Sequence, residues 1–130
     1  MALVVVIERS AQAAQPGVRS VRLQGRLDNE SADQLDQQLL SLWQESFELL
    51  VFNLAELVYI SSMGLRSLFM AQKAMKERQG RALFVDARPA VQKVFDIVRA
   101  VDVGSVFASA AELDTYLDSM QRKLTDPDQS

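Results

Sequence analysis

Apolar residues recur along this chain in two rhythms. The run Leu3-Val4-Val5-Val6-Ile7 and the spaced Val18, Val21 and Leu23 are β-branched or leucine-rich, and a stretch ending in Pro16-Gly17 separates them, so two strands joined by a connection are expected. From Ser31 the period lengthens. Leu35, Leu39, Leu42 and Trp43 stand at i, i+4, i+7 and i+8, one stripe of an amphipathic helix, and Ser31 with Gln34 is expected to form a capping box. The short run Leu49-Leu50-Val51-Phe52-Asn53-Leu54 reads as a strand buried on both faces of a sheet. After Leu57-Val58-Tyr59-Ile60, the stretch Ser61-Ser62-Met63-Gly64 opens a helix with Leu65, Leu68, Phe69, Ala71, Ala74 and Met75 inward and Gly80 as its stop. Lys73, Lys76, Glu77 and Arg78 then form its solvated face.

Arg81 starts another strand, Ala82-Leu83-Phe84-Val85. Pro89 suits the first turn of a third helix carrying Val91, Val94, Phe95 and Val98. A brief strand is expected over Ser105 to Phe107. The last helix has Ser109 and Glu112 as a capping box and Leu113, Tyr116, Leu117 and Met120 as its stripe. Strand-helix-strand units require parallel crossovers, whereas the first two strands have a link short enough for antiparallel pairing. The expected fold is therefore one α/β domain over 1–122, a mixed sheet of about five strands with about four covering helices, followed by a polar tail over 123–130.

Composition narrows the chemistry. The 130 residues are 48% hydrophobic and 24% charged with 5 Gly and 3 Pro, a globular composition that excludes disorder and collagen-like repeats. With no Cys and no His, the chain holds no disulfide, no thiolate nucleophile, and no Ser-His-Asp or Cys-His machinery. Carboxylate-only catalysis needs a cleft lined by acids, but these acids are scattered along helix faces, which argues against an enzyme. The net charge of −3, with basic residues dispersed, argues against a nucleic-acid partner. No stretch approaches the roughly 18 apolar residues of a membrane span, so a cytoplasmic protein without membrane insertion is expected. No cofactor and no metal are expected.

The most informative segment is Tyr59-Ile60-Ser61-Ser62-Met63-Gly64-Leu65-Arg66, two hydroxyls between a strand and the first turn of a helix. Free amides and the positive end of the helix dipole favour an anion there, so a phosphate on Ser62 would be stabilised. Gly64 leaves room for another backbone or a partner, and Arg66 is placed to lend charge. The plainer reading makes Ser61 and Ser62 helix caps. A nucleophile elbow is excluded, because Ile60 stands two residues before Ser62 and no histidine activates the hydroxyl.

Together with Leu23-Gln24-Gly25-Arg26-Leu27-Asp28, Val51-Phe52-Asn53-Leu54, Pro89-Ala90-Val91 and Val94-Phe95, this segment resembles the STAS domain family, most closely its bacterial stand-alone members, the anti-sigma factor antagonists. The resemblance covers nearly the whole chain. It implies that Ser62, with Ser61 as second choice, is phosphorylated by an anti-sigma factor acting as a serine kinase with a histidine-kinase-like ATPase domain. A PP2C-like phosphatase would reverse the mark. It implies further that Asp28, Asn53, Ser61, Ser62, Met63, Gly64 and Arg66 contribute to partner binding. Some members carry Asp where this chain has Ser61, a small residue where it has Met63, and often Asp where it has Asn53. Asp28 also fits as a cap of the helix after Ser31.

The implied switch follows from charge. A neutral serine hydroxyl is buried in an interface at modest cost, whereas phosphoserine carries about −1.5 to −2 and needs partners for three oxygens. Two other readings remain: an unphosphorylated scaffold subunit of a transporter or sensory assembly, and a small-ligand or nucleotide sensor. The last is weakened because Gly64 is isolated and no glycine-rich loop is present.

Overall fold

A computed structural model describes residues 2–8, 17–100 and 106–125. Four strands form one sheet in the order β1-β2-β3-β4: β1 Val4–Glu8, β2 Val18–Leu27, β3 Leu49–Ile60 and β4 Arg81–Val85. The first pair is antiparallel and the other two pairs are parallel. The helices are α1 Ala32–Leu39, α2 Ser62–Glu77, α3 Pro89–Ala100 and α4 Ala110–Thr125. Helices α1 and α2 supply the crossovers between successive parallel strands.

Among the described residues the sheet has four strands, where about five were expected. Ser105 lies outside the described residues, and Val106 and Phe107 are not in a strand; the Phe107 ring packs on Tyr116 with centroids 5.4 Å apart. The apolar pair reads as strand in sequence, but α4 gives it an aromatic partner instead. Helix α4 runs through Thr125, three residues beyond the expected domain end at 122.

Strand β3 is one element of 12 residues, not a short run followed by a separate segment. It is buried on one face only: Leu50, Phe52, Leu54, Leu57 and Ile60 are enclosed, while Leu49, Val51 and Asn53 are half-buried. The spacing of three between Leu54, Leu57 and Ile60 breaks strict alternation. Two irregularities explain it. The pairing with β2 steps from Arg22–Asn53 to Gln24–Glu56 and from Gly25–Leu57 to Arg26–Tyr59, so an extra β3 residue is inserted each time and the core face is kept. These inward residues share one core with Leu35 and Leu39 of α1, Leu65, Leu68 and Met75 of α2, Val91, Val94 and Phe95 of α3, and Leu113 and Leu117 of α4.

Local details depart from the sequence pattern in instructive ways. The α1 stripe does not continue as one helix to Trp43; a 3-10 turn over Leu42–Gln44 follows, and Leu42 remains buried. Ser31 and Gln34 form no capping box: the Ser31 hydroxyl donates to the Arg26 carbonyl at 2.8 Å, and the Gln34 amide donates to the Leu3 carbonyl at 3.1 Å. At the end of α2 the left-handed residue is Gln79, φ 63°, not Gly80. Gln79 N–H donates to Lys76 O at 3.0 Å and Gly80 N–H to Met75 O at 2.7 Å, which is a Schellman termination. Arg78 is not on the solvated face; its guanidinium lies over Phe47 and Trp43 and donates to the carbonyls of Glu45 and Trp43.

In α4, Ser109 does cap, accepting from Glu112 N–H at 3.1 Å. Its buried stripe is Leu113, Leu117 and Gln121; Tyr116 is 46% exposed, and Met120 is only partly buried.

Candidate functional site

The parallel ends of β2 and β3 finish side by side, and two loops leave from there. Leu27 pairs with Ile60, and Ser61 N–H donates to the Leu27 carbonyl at 2.9 Å, so the loop beginning at Asp28 lies against the start of α2. Gly64 makes this close approach possible. A Cβ on it would stand 2.6 Å from Leu27 Cγ and 2.8 Å from Leu27 O, so its bare face is taken up within the chain.

The two serines occupy different environments. Ser61 is 3% exposed and is the extended N-cap of α2, its Oγ accepting from Gly64 N–H at 3.2 Å. Ser62 is the first helical residue and only partly buried; its N–H donates to Asp114 Oδ1 of α4 at 2.8 Å. A carboxylate thus already sits at the positive end of α2. Met63, 43% exposed, and Arg66 lie on the outer side of this first turn. They border a groove of about 420 Å³ between α1 and α2, lined also by Asp36, Leu40, Trp43 and Met70.

Asp28 organises its own loop. Its Oδ1 accepts from Glu30 N–H and Ser31 N–H, both at 3.1 Å, its N–H donates to the Ser31 hydroxyl oxygen at 2.9 Å, and its carbonyl accepts from Ala32 N–H at 2.9 Å. Burial raises its carboxyl pKa, but the hydrogen bonds from Ser31 and Glu30 and the charge of Arg26 outweigh that and leave it below the ordinary value. Arg26 Nε is 3.7 Å from Asp28 Oδ2, and its guanidinium carbon lies 3.9 Å above the Tyr59 ring. Burial, followed by the charge of Asp118, pushes the Tyr59 phenol up.

Asn53 is not brought to this junction. It sits in mid-strand, seven residues or about 23 Å from the end of β3 at roughly 3.3 Å per residue, and its Oδ1 accepts from Ala55 N–H at 2.9 Å within the first irregularity. The structure therefore groups Asp28, Ser61, Ser62, Met63, Gly64 and Arg66, with Ser61 and Gly64 internal, and leaves Asn53 apart.

Sequence patterning does not pick out Asp114 or Gln121. Gln121 is 1% exposed; its Oε1 accepts from Ile60 N–H at 2.9 Å and its Nε2 donates to Ile60 O at 2.8 Å. The available signal was a polar residue four positions after Leu117 on an apolar stripe. Among the described residues no acidic set is gathered to hold a metal ion, and no helix is long and apolar enough to cross a membrane.

The STAS domain family matches residues 11–113. A curated relative from Bordetella bronchiseptica, the candidate anti-sigma factor antagonist BtrV, is 33% identical over 75 residues, covering 58% of this chain and 65% of its own length. The chain thus spans a little under two thirds of that relative. Among solved structures, an anti-sigma factor antagonist from Mycobacterium paratuberculosis superposes with a TM-score of 0.60 at 22% identity, covering 76% of this chain and 80% of the other. Unphosphorylated SpoIIAA, an anti-sigma factor antagonist, gives 0.59 at 19% identity over 72% of this chain and 83% of its own. The phosphorylated form, from Bacillus, also gives 0.59. The matched span includes the β2 end, all of β3 and all of α2, where the loops meet and Ser62 lies; this chain belongs to the STAS domain family.

Proposed function

We propose that this protein is an anti-sigma factor antagonist working as a phosphorylation-controlled binding module. Unphosphorylated, it captures an anti-sigma factor that is also a serine kinase with a histidine-kinase-like ATPase domain, and so frees that protein's client. Phosphorylation of Ser62 ends the complex, and a PP2C-like phosphatase restores it. The observation that carries this reading is the division of labour between the serines. Ser61 is enclosed and spent on capping, whereas Ser62 is partly accessible at the start of α2, between the Asp28 loop and the exposed Met63 and Arg66.

In this reading Ser62, Met63, Arg66 and Asp28 meet the partner, and the α1–α2 groove extends the contact. Ser61 and Gly64 hold the first turn in place. Asn53 supports β3 from further back. The relatives described as anti-sigma factor antagonists support this reading, as does a neighbour of like fold known in both phosphorylation forms.

The test is direct. Incubation with ATP and the host's candidate kinase should label wild type and leave Ser62→Ala unlabelled, while Ser62→Ala binds the kinase at least tenfold more tightly than Ser62→Asp. Equal binding of the two variants would overturn the proposal. Absence of label together with a stable membrane assembly as partner would instead favour a scaffold subunit.

A further inference from the structure

Helix α4 is fastened to the β3–α2 junction at two points about two turns apart. Asp114 accepts from the Ser62 amide, and Gln121 holds both backbone groups of Ile60 two residues earlier in the chain. Between them, Asp118 faces Tyr59, and its charge is one of the causes that raise the phenol pKa. The same face of α4 therefore presents two carboxylates to the segment Tyr59–Ser62. Of the arginines nearby, Arg26 is engaged with Asp28 and the Tyr59 ring and Arg122 with Asp118, while Arg66, one turn on in α2, is exposed on the outer side, away from α4.

A phosphate on Ser62 would be attached to the residue whose own amide holds Asp114. Its oxygens and the Asp114 carboxylate would compete for one positive helix end, two anionic groups within the covalent reach of a single residue. We propose that phosphorylation is read first inside the protein, by Asp114: the phosphate displaces this carboxylate from the Ser62 amide and loosens the first half of α4 on α2, while Leu113 and Leu117 stay in the core. Gln121 keeps the second half of α4 on β3, so the response is a local release and not unfolding. The mark thereby changes the surface beside the site as well as its charge.

This inference rests on Ser62 being the modified residue, but its test needs neither kinase nor partner. Phosphoserine is incorporated at position 62 during synthesis, and amide hydrogen exchange is compared between the two forms of the isolated protein. Exchange across residues 114–119 should quicken at least tenfold in the phosphorylated form, with α1 unchanged. In Asp114→Asn, whose neutral side chain still accepts from Ser62 N–H, the phosphate should accelerate exchange less than twofold. Asp114→Ala should already exchange faster without phosphate. Unchanged α4 exchange in phosphorylated wild type would overturn the inference, as would full acceleration in phosphorylated Asp114→Asn or wild-type protection in Asp114→Ala. None of these results depends on whether a kinase distinguishes Ser62→Ala from Ser62→Asp, so the two proposals fail separately.

Discussion

Gly80 stands so close to Glu48 that a Cβ added to it would lie 2.5 Å from the Glu48 carbonyl oxygen, which accepts from Arg81 N–H at 2.8 Å. The glycine is required for close approach, while the left-handed residue of the same turn is Gln79. Gly80→Ala should destabilise by about 1–3 kcal/mol, since backbone must move. Gln79→Gly should stabilise by about 0.5–1 kcal/mol, because the strain of a side chain at positive φ is removed. Urea denaturation of both variants checks the opposite signs; a loss in Gln79→Gly would refute the assignment.

Gln121 takes the place of a neighbouring strand for Ile60. Gln121→Ala leaves a buried N–H and a buried carbonyl without their partner and opens a void, so a loss of about 2–4 kcal/mol is expected. Gln121→Glu keeps an acceptor for Ile60 N–H but sets a buried carboxylate against the Ile60 and Leu117 carbonyls. Its stability should recover as acid protonates that carboxyl, whereas Gln121→Ala should show no such recovery. Equal pH dependence of the two variants would count against the pairing.

The two glycines at opposite ends of the sheet should respond differently to a methyl group. Gly64→Ala drives Cβ into Leu27 and should cost about 1–3 kcal/mol. At Gly17 the nearest atom to an added Cβ is Glu48 Oε1 at 3.5 Å, an ordinary contact, so Gly17→Ala should stay within about 0.5 kcal/mol of wild type. Thermal unfolding of the pair is sufficient to separate them.

Two groups give the stability a defined pH dependence. The Asp28 carboxyl, lowered in the folded state, contributes stability that is present above its unfolded pKa of about 3.9 and is lost as pH falls through its lower folded value. The Tyr59 phenol is raised, so its contribution is present below about pH 10 and is lost as pH rises through the folded value. The stability difference between wild type and Asp28→Asn should shrink from pH 5 to pH 2. That between wild type and Tyr59→Phe should change only in the alkaline range. A pH-independent difference in either pair would contradict the corresponding shift.

Much of this fold is legible where periodicity and chemistry agree. The stripes Leu65/Leu68/Met75 and Val91/Val94/Phe95 mark helices because each buries one face, and the run beginning at Leu49 marks a strand. The two serines are legible as a helix start because capping is local. What escapes is what depends on distant residues. The inserted residues in β3 disguise its alternation, since their register is set by β2. Phe107 reads as strand because nothing nearby announces Tyr116 as its neighbour. Asp114 and Gln121 act 52 and 61 positions away from Ser62 and Ile60, where polar side chains on a helix carry no local sign of their targets.

The parallel pairing of β3 with β4 ends at Asn53, and the second half of β3 is completed by side chains: Asn53 and Arg88 serve Ala55, and Gln121 serves Ile60. During synthesis at roughly 5–20 residues per second, Gln121 emerges about 3–12 s after Ile60. Over that interval the outer edge of β3 is an open template for pairing with another nascent chain. The last helix therefore closes this edge of β3 only once it has been made and docked.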